Sequence, residues 1–128
     1  MNIVDSCGWL EYFADGQNAH IFAPIIENTT ELLVPVISIY EVFKRVLQQR
    51  DESAALQAIA LMQQGQIIAL NVETSLLAAK LSIDYRLPMA DSLILATARQ
   101  HHARLWTQDV DFAHISDVQF FSKPPLNS

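Results

Sequence analysis

Asn2-Ile3-Val4-Asp5 is a short apolar run that stops on an acid. Such a run suits a strand buried on both faces, with the acid at its carboxyl end. The next segment is helical: Trp9, Leu10 and Phe13 share one face between Ser6 and Ala14, and Asp15-Gly16 breaks it. The alternation then repeats along the chain. Ala19 to Glu27 carries a second helical stripe, with Ile21, Phe22, Ile25 and Ile26. Leu32 to Val36 is a second apolar run. Ser38-Ile39-Tyr40-Glu41 has the form of a capping box, so a helix is expected to open at Ser38 and run to about Arg50. Ser53 to Gln64 reads as a helix stopped by Gly65, Gln66 to Leu70 as a third strand, and Thr74 to Tyr85 as a helix. Ala90 to His102 is helical, Arg104 to Thr107 is a fourth strand, and Val118 to Phe121 is a fifth candidate.

Strands alternating with helices predict an α/β chain, a three-layer α/β/α sandwich around a mostly parallel sheet of four or five strands. The length of 128 residues fits one domain, 1–128, with a tail at 123–128 containing Pro124-Pro125 that is expected to fray. Hydrophobic residues make up 51% and charged residues 17%, which excludes a disordered chain. A single Cys excludes a disulfide framework and fits the reducing cytoplasm. Neither a signal peptide nor an apolar stretch of about 18 residues is visible, so no membrane span is expected. The net charge of −6, from 8 basic and 14 acidic residues, argues at first against a nucleic-acid partner.

Four of those acids fall where a site would form, beyond the carboxyl ends of the strands. Asp5 ends the first strand, and Glu41 lies in the first turn of the helix after the second. Asp91 opens the helix that follows Pro88, and Asp109 follows the fourth strand, with Asp111 two residues on. Singly, each acid has a structural reading, as a helix cap, a dipole partner or a turn residue. Together they repel, by roughly 4 kcal/mol for a pair about 4 Å apart at an effective dielectric near 20. Relief comes from protonation or from a cation. An all-oxygen set favours Mg²⁺ or Mn²⁺, which activates water and neutralises charge developing on a phosphodiester. The four acids also account for four of the negative charges, leaving −2 on the rest of the chain.

These blocks, in this order, resemble the PIN-domain ribonucleases, specifically the VapC toxins of bacterial toxin–antitoxin pairs. The matching pieces are Ile3-Val4-Asp5-Ser6 with Trp9-Leu10, and Ser38-Ile39-Tyr40-Glu41-Val42 with Arg45. Pro88-Met89-Ala90-Asp91-Ser92-Leu93-Ile94 and Thr107-Gln108-Asp109-Val110-Asp111-Phe112 complete the set, which spans nearly the whole chain. The resemblance implies a metal-dependent endoribonuclease acting on tRNA or rRNA and inhibiting translation. It implies Asp5 and Asp91 as principal metal ligands, Glu41 and Asp109 completing the catalytic set, and Asp111 as a further acid of variable role. It implies Ser6 or Thr107 as a hydroxyl that positions water or phosphate. Cys7 departs from the family pattern, which often has a small polar residue there. The resemblance also implies a homodimer and a small antitoxin partner. Trp9, Tyr12, Phe13 and Phe22, with Ile21 and Ile25, are candidates for the antitoxin's groove, against a core-packing reading of the same stripe. A housekeeping RNA-processing nuclease and a PIN-like module that binds RNA or a partner without cutting remain as alternatives.

Lys44, Arg45 and Arg50 share one predicted helix and are candidate RNA contacts, or simply its solvated face. His101-His102 suits a helix carboxyl end better than a metal. No His or Asp pattern marks Cys7 as a nucleophile. A receiver domain would need a strand-end Asp near mid-chain and a late Lys. A haloacid-dehalogenase-like phosphatase would need an Asp where Cys7 stands, and a Rossmann-type binder a Gly-rich first turn; none of these patterns is present.

Overall fold

The computed structural model describes residues 1–125. Five strands form one parallel sheet: β1 (Asn2–Val4), β2 (Leu32–Pro35), β3 (Gln66–Ile68), β4 (Arg104–Thr107) and β5 (Gln119–Phe120), in the order β3-β2-β1-β4-β5. Six α-helices make the crossovers: α1 (Ser6–Phe13) and α2 (Ala19–Glu27) between β1 and β2, and α3 (Val36–Gln49) and α4 (Glu52–Met62) between β2 and β3. The third pair, α5 (Val72–Tyr85) and α6 (Met89–Gln100), lies between β3 and β4. The central strands β1 and β2 are short apolar runs because both sheet faces are covered there, whereas edge strand β3 is largely exposed. Val4, Val34 and Leu32 pack with Trp9, Phe22, Val42 and Met62 on one face. Ile3, Leu33 and Leu105 pack with Leu81, Ile94, Leu95 and Phe112 on the other. Gly8 is required on the first face, where a Cβ would lie 2.6 Å from Val4 Cγ1 and 2.9 Å from Phe22 Cδ1.

Helix starts differ from the sequence expectation for local reasons. Asp51 accepts from the Ala54 amide at 2.8 Å, so α4 opens one residue early, at Glu52. Asn71 accepts from the Thr74 amide at 2.9 Å, which starts α5 at Val72 and shortens β3 to three residues. The expected capping box of α3 does not form. Pro35 ends β2 at φ −61°, already near a helical φ, and α3 begins directly at Val36. Ser38 is thus inside the helix and buried, and Glu41 is free to bond elsewhere. Of the expected tail, Lys123 to Pro125 has no regular secondary structure, and 126–128 lies outside the described residues.

Candidate active site

The parallel order puts the carboxyl ends of β1 and β4 side by side, with Val4 in register with Trp106. Asp5 continues that ladder by donating its amide to the Trp106 carbonyl at 2.9 Å. Its carboxylate caps α1, with Oδ1 accepting from the Ser6 amide at 2.8 Å. Oδ2 accepts from Thr107 Oγ1 at 2.8 Å and from Cys7 Sγ at 3.3 Å. Thr107 is fully buried, and its oxygen also accepts from the Asp109 amide at 2.9 Å, so one hydroxyl orients two acids. Asp109 in turn accepts from the Asp111 amide at 2.9 Å, a local turn that holds its carboxylate. Asp91 comes in on the first turn of α6 and is 8% exposed.

Oxygens of Asp5, Asp91 and Asp109 lie within 4.8 Å of one another. The ion pairs among the described residues are Met1–Glu31 and Arg99–Asp117, so no protein cation neutralises the three. Burial therefore governs the ionisation of Asp5 and Asp91. It raises Asp5 to about 6 against the lowering bonds from Thr107, Cys7 and Ser6, with Asp109 adding repulsion. Burial, with the charges of Asp5, Asp109 and Asp111, raises Asp91 to about 8. Burial and the neighbouring Asp5 also push the Cys7 thiol up, which keeps it a neutral donor and a poor nucleophile.

Three convergent carboxylates without a counter-charge fit a hard divalent cation in number, type and spacing of donors. Asp5, Asp91 and Asp109 are the residues that would hold it. Glu41 stands at the side of this group. Its Oε1 accepts from Ser6 Oγ at 2.6 Å, so the Ser6 hydroxyl links the first residue of α1 to α3. Both candidate positioning hydroxyls, Ser6 and Thr107, are buried and engaged with carboxylates. Asp111 is exposed, and its proximity is one of the causes that raise Asp91.

The groove expectation needs correcting. Trp9 and Phe22 are 0% exposed and belong to the core, because the apolar stripes of α1 and α2 face the sheet. Tyr12 is half-buried and donates to Glu27 at 2.9 Å. Phe13 instead helps line a cleft of about 250 Å³ between α1, α3 and α4, with Leu10, Val46, Ala58 and Leu61. Arg50 lines that cleft, whereas Lys44 and Arg45 are exposed on α3, Lys44 over the Tyr40 ring at 5.7 Å. The four histidines are exposed and stand outside the three-acid group.

Sequence reasoning missed a support behind Asp109. Glu11 is buried and accepts from the Asn18 amide at 2.8 Å, while Asn18 Nδ2 donates to Gln108 Oε1 at 3.0 Å and to the Ser122 carbonyl at 3.2 Å. The available signal was Gly16, where a Cβ would collide with the Glu11 carboxylate. That need for glycine marks a tight approach but not its purpose.

The PIN domain model matches residues 3–118. The chain belongs to the PIN-domain family. Its fold is also that of several solved PIN structures. A toxin–antitoxin complex from Klebsiella pneumoniae is 24% identical, with a TM-score of 0.75 over 92% of this chain and 95% of that one. A sarcin–ricin-loop-cleaving VapC toxin of Mycobacterium tuberculosis is 12% identical, with a TM-score of 0.77 over 93% and 98%. The DNA-bound VapBC of Salmonella typhimurium is 11% identical, with a TM-score of 0.74 over 95% and 98%. Comparison with curated protein sequences gives no match. No helix among the described residues is long and apolar enough to cross a membrane.

Proposed function

We propose that this PIN protein is a Mg²⁺- or Mn²⁺-dependent endoribonuclease of VapC type, the cytoplasmic toxin of a toxin–antitoxin pair that inhibits translation by cutting tRNA or rRNA. The observation that carries the reading is the meeting of Asp5, Asp91 and Asp109 within 4.8 Å, unneutralised, at the carboxyl end of a parallel sheet. When bound, the divalent ion supplies Lewis-acid stabilisation of charge on a phosphodiester. Asp5 and Asp91 are its principal holders and Asp109 the third. Glu41 completes the catalytic set through water, with Ser6 fixing its carboxylate, and Asp111 supports Asp91. Thr107 keeps Asp5 and Asp109 in one orientation, so little reorganisation is left for the moment of reaction.

The solved complexes from Klebsiella and Salmonella support a small antitoxin partner. The α1–α3–α4 cleft, apolar with Arg50 in its wall, suits an amphipathic helix that carries an acid. A second copy pairs through the exposed apolar residues beside edge strand β3, with Leu70, Val72, Leu76 and Met89 at its centre. The test of the activity uses purified protein and defined RNA. Cleavage should require Mg²⁺ or Mn²⁺, stop with EDTA, and fall at least about a hundredfold in Asp5→Ala and in Asp91→Ala. Undiminished cleavage in either variant refutes the mechanism, and folded wild type that binds RNA without cutting it supports the binding-module alternative.

A further inference from the structure

A pocket of about 540 Å³ opens beside the carboxylates, with Cys7, Gln108, Asp109, Val110, Phe120 and Lys123 in its wall. It shares two residues with the site. Asp109 is one of the three gathered acids, and Cys7 Sγ lies 3.3 Å from Asp5 Oδ2. Its size falls in the range of roughly 300–1,000 Å³ typical of small-ligand pockets, which suits a single nucleotide.

The chemistry of the wall is set from behind by Asn18. The Ser122 carbonyl can only accept, so the Asn18 group that meets it at 3.2 Å is the NH₂ end of the amide. The same NH₂ meets Gln108 at 3.0 Å, so Gln108 must turn its oxygen inward to accept. Asn18 is itself buried and pinned through its backbone amide to Glu11, so this orientation is held. The Gln108 NH₂ is left for the pocket, with no hydrogen-bond partner among the described residues. Beside it stand the cation of Lys123, the half-buried ring of Phe120, and Val110, which is 73% exposed. Among the lining residues Lys123 is the single cation. Asp109, on the side of the gathered acids, and Ser122 also line the pocket; away from them a cation, an amide offering only donors, and apolar surface complement a phosphate, a base acceptor and a base face.

We propose that this pocket is the subsite for the nucleotide flanking the cleaved phosphodiester, with Gln108 the residue that selects its base. A group that only donates favours a keto base, uracil or guanine, whose O4 or O6 accepts. It disfavours cytosine and adenine, whose amino groups also donate. The proposal rests on the ribonuclease reading and adds to it a base preference and the residues responsible.

The experiment compares wild type, Gln108→Glu and Lys123→Ala on single-stranded RNA oligonucleotides that differ only at the positions flanking the cut. Glu still accepts from Asn18, so Gln108→Glu keeps the internal bond and replaces the donors with an acceptor. Wild type should cleave keto-flanked RNA about tenfold more efficiently than amino-flanked RNA. Gln108→Glu should lose or invert that preference and raise KM about tenfold on the keto substrate. Lys123→Ala should weaken all substrates alike, and because Lys123 is exposed it keeps the test open if Gln108→Glu does not fold. A wild type indifferent to the flanking bases, or a Gln108→Glu protein with unchanged preference and KM, overturns the proposal. Fluorescence anisotropy of the same RNAs on Asp91→Asn protein separates this from the parent reading. If wild type cuts nothing, the ribonuclease reading fails, while keto-selective binding that depends on Gln108 still supports the subsite and binding blind to Gln108 overturns it.

Discussion

Asp91→Asn should stabilise the metal-free protein while removing its activity. Asp91 sits on the first turn of α6, 8% exposed, facing Asp5, Asp109 and Asp111 with no cation near. Its carboxyl is raised from 3.8 to about 8, chiefly by burial, and that of Asp5 to about 6. Both folded values lie above the unfolded ones, so the folded protein binds more protons across this interval. Its stability is therefore greatest on the acid side and falls as pH rises from about 4 through about 8. Each tenfold change in proton affinity corresponds to about 1.4 kcal/mol, which puts an upper bound on the Asp91 penalty at roughly 6 kcal/mol. Part of that bound is repulsion shared with Asp5 and Asp109, so about 2–4 kcal/mol is the expected gain when the charge alone is removed. For a chain of this size, that raises Tm by roughly 6–15 °C at pH 9. Near pH 4–5 both proteins carry a neutral group at this position, and the gain should shrink to within about 1 kcal/mol. Thermal melts in EDTA, followed by circular dichroism from pH 4.5 to 9, measure it. Adding Mn²⁺ should raise the Tm of wild type more at pH 9 than at pH 5, and should do much less for Asp91→Asn. A wild-type Tm that climbs steadily from pH 5 to 9 in EDTA, or an Asp91→Asn protein destabilised equally at both ends, would refute the electrostatic account.

Three further outcomes follow from the geometry. Thr107→Val keeps the shape but strips Asp5 Oδ2 and the Asp109 amide of their partner, and should cost about 1–3 kcal/mol in urea unfolding and weaken Mn²⁺ binding measured by calorimetry. Phe13→Glu, in the α1–α3–α4 cleft and away from the acids, should abolish antitoxin capture at equal protein concentration, with cleavage kept within about twofold; retained capture would place the partner elsewhere. Leu76→Glu, at a side chain 63% exposed on α5, should shift the protein from dimer to monomer by light scattering, and an unchanged mass would remove that face from the pairing.

The α/β order of elements was legible because strands buried on both faces must be continuous apolar runs and crossover helices must carry an apolar stripe. Helix starts at Glu52 and Val72 were less legible, since a side-chain cap competes with propensity over one or two residues. Ser38 and Glu41 have the spacing of a capping box, yet Pro35 starts the helix earlier and frees Glu41 for Ser6, 35 residues away in sequence. Trp9 and Phe22 show the limit of periodicity, which marks an apolar face but not whether a sheet or a partner covers it. Gln108 carried no signal, because its orientation depends on Asn18, 90 residues distant.

From the sequence alone come the parallel α/β architecture and the placing of Asp5, Asp91 and Asp109 at the ends of strands or starts of helices, whereas Glu41, expected in a first turn, lies a turn deeper in α3. Both are consequences of local pattern, where burial and backbone chemistry act within a few residues. Only the tertiary structure decides which acids meet. Asp5, Asp91 and Asp109 converge because β1 and β4 are neighbours in the sheet and α6 opens against them, while Glu41 is held aside by Ser6. The physical reason is that ionisation, hydrogen-bond direction and repulsion depend on distance in space, which a crossover topology sets and sequence spacing does not.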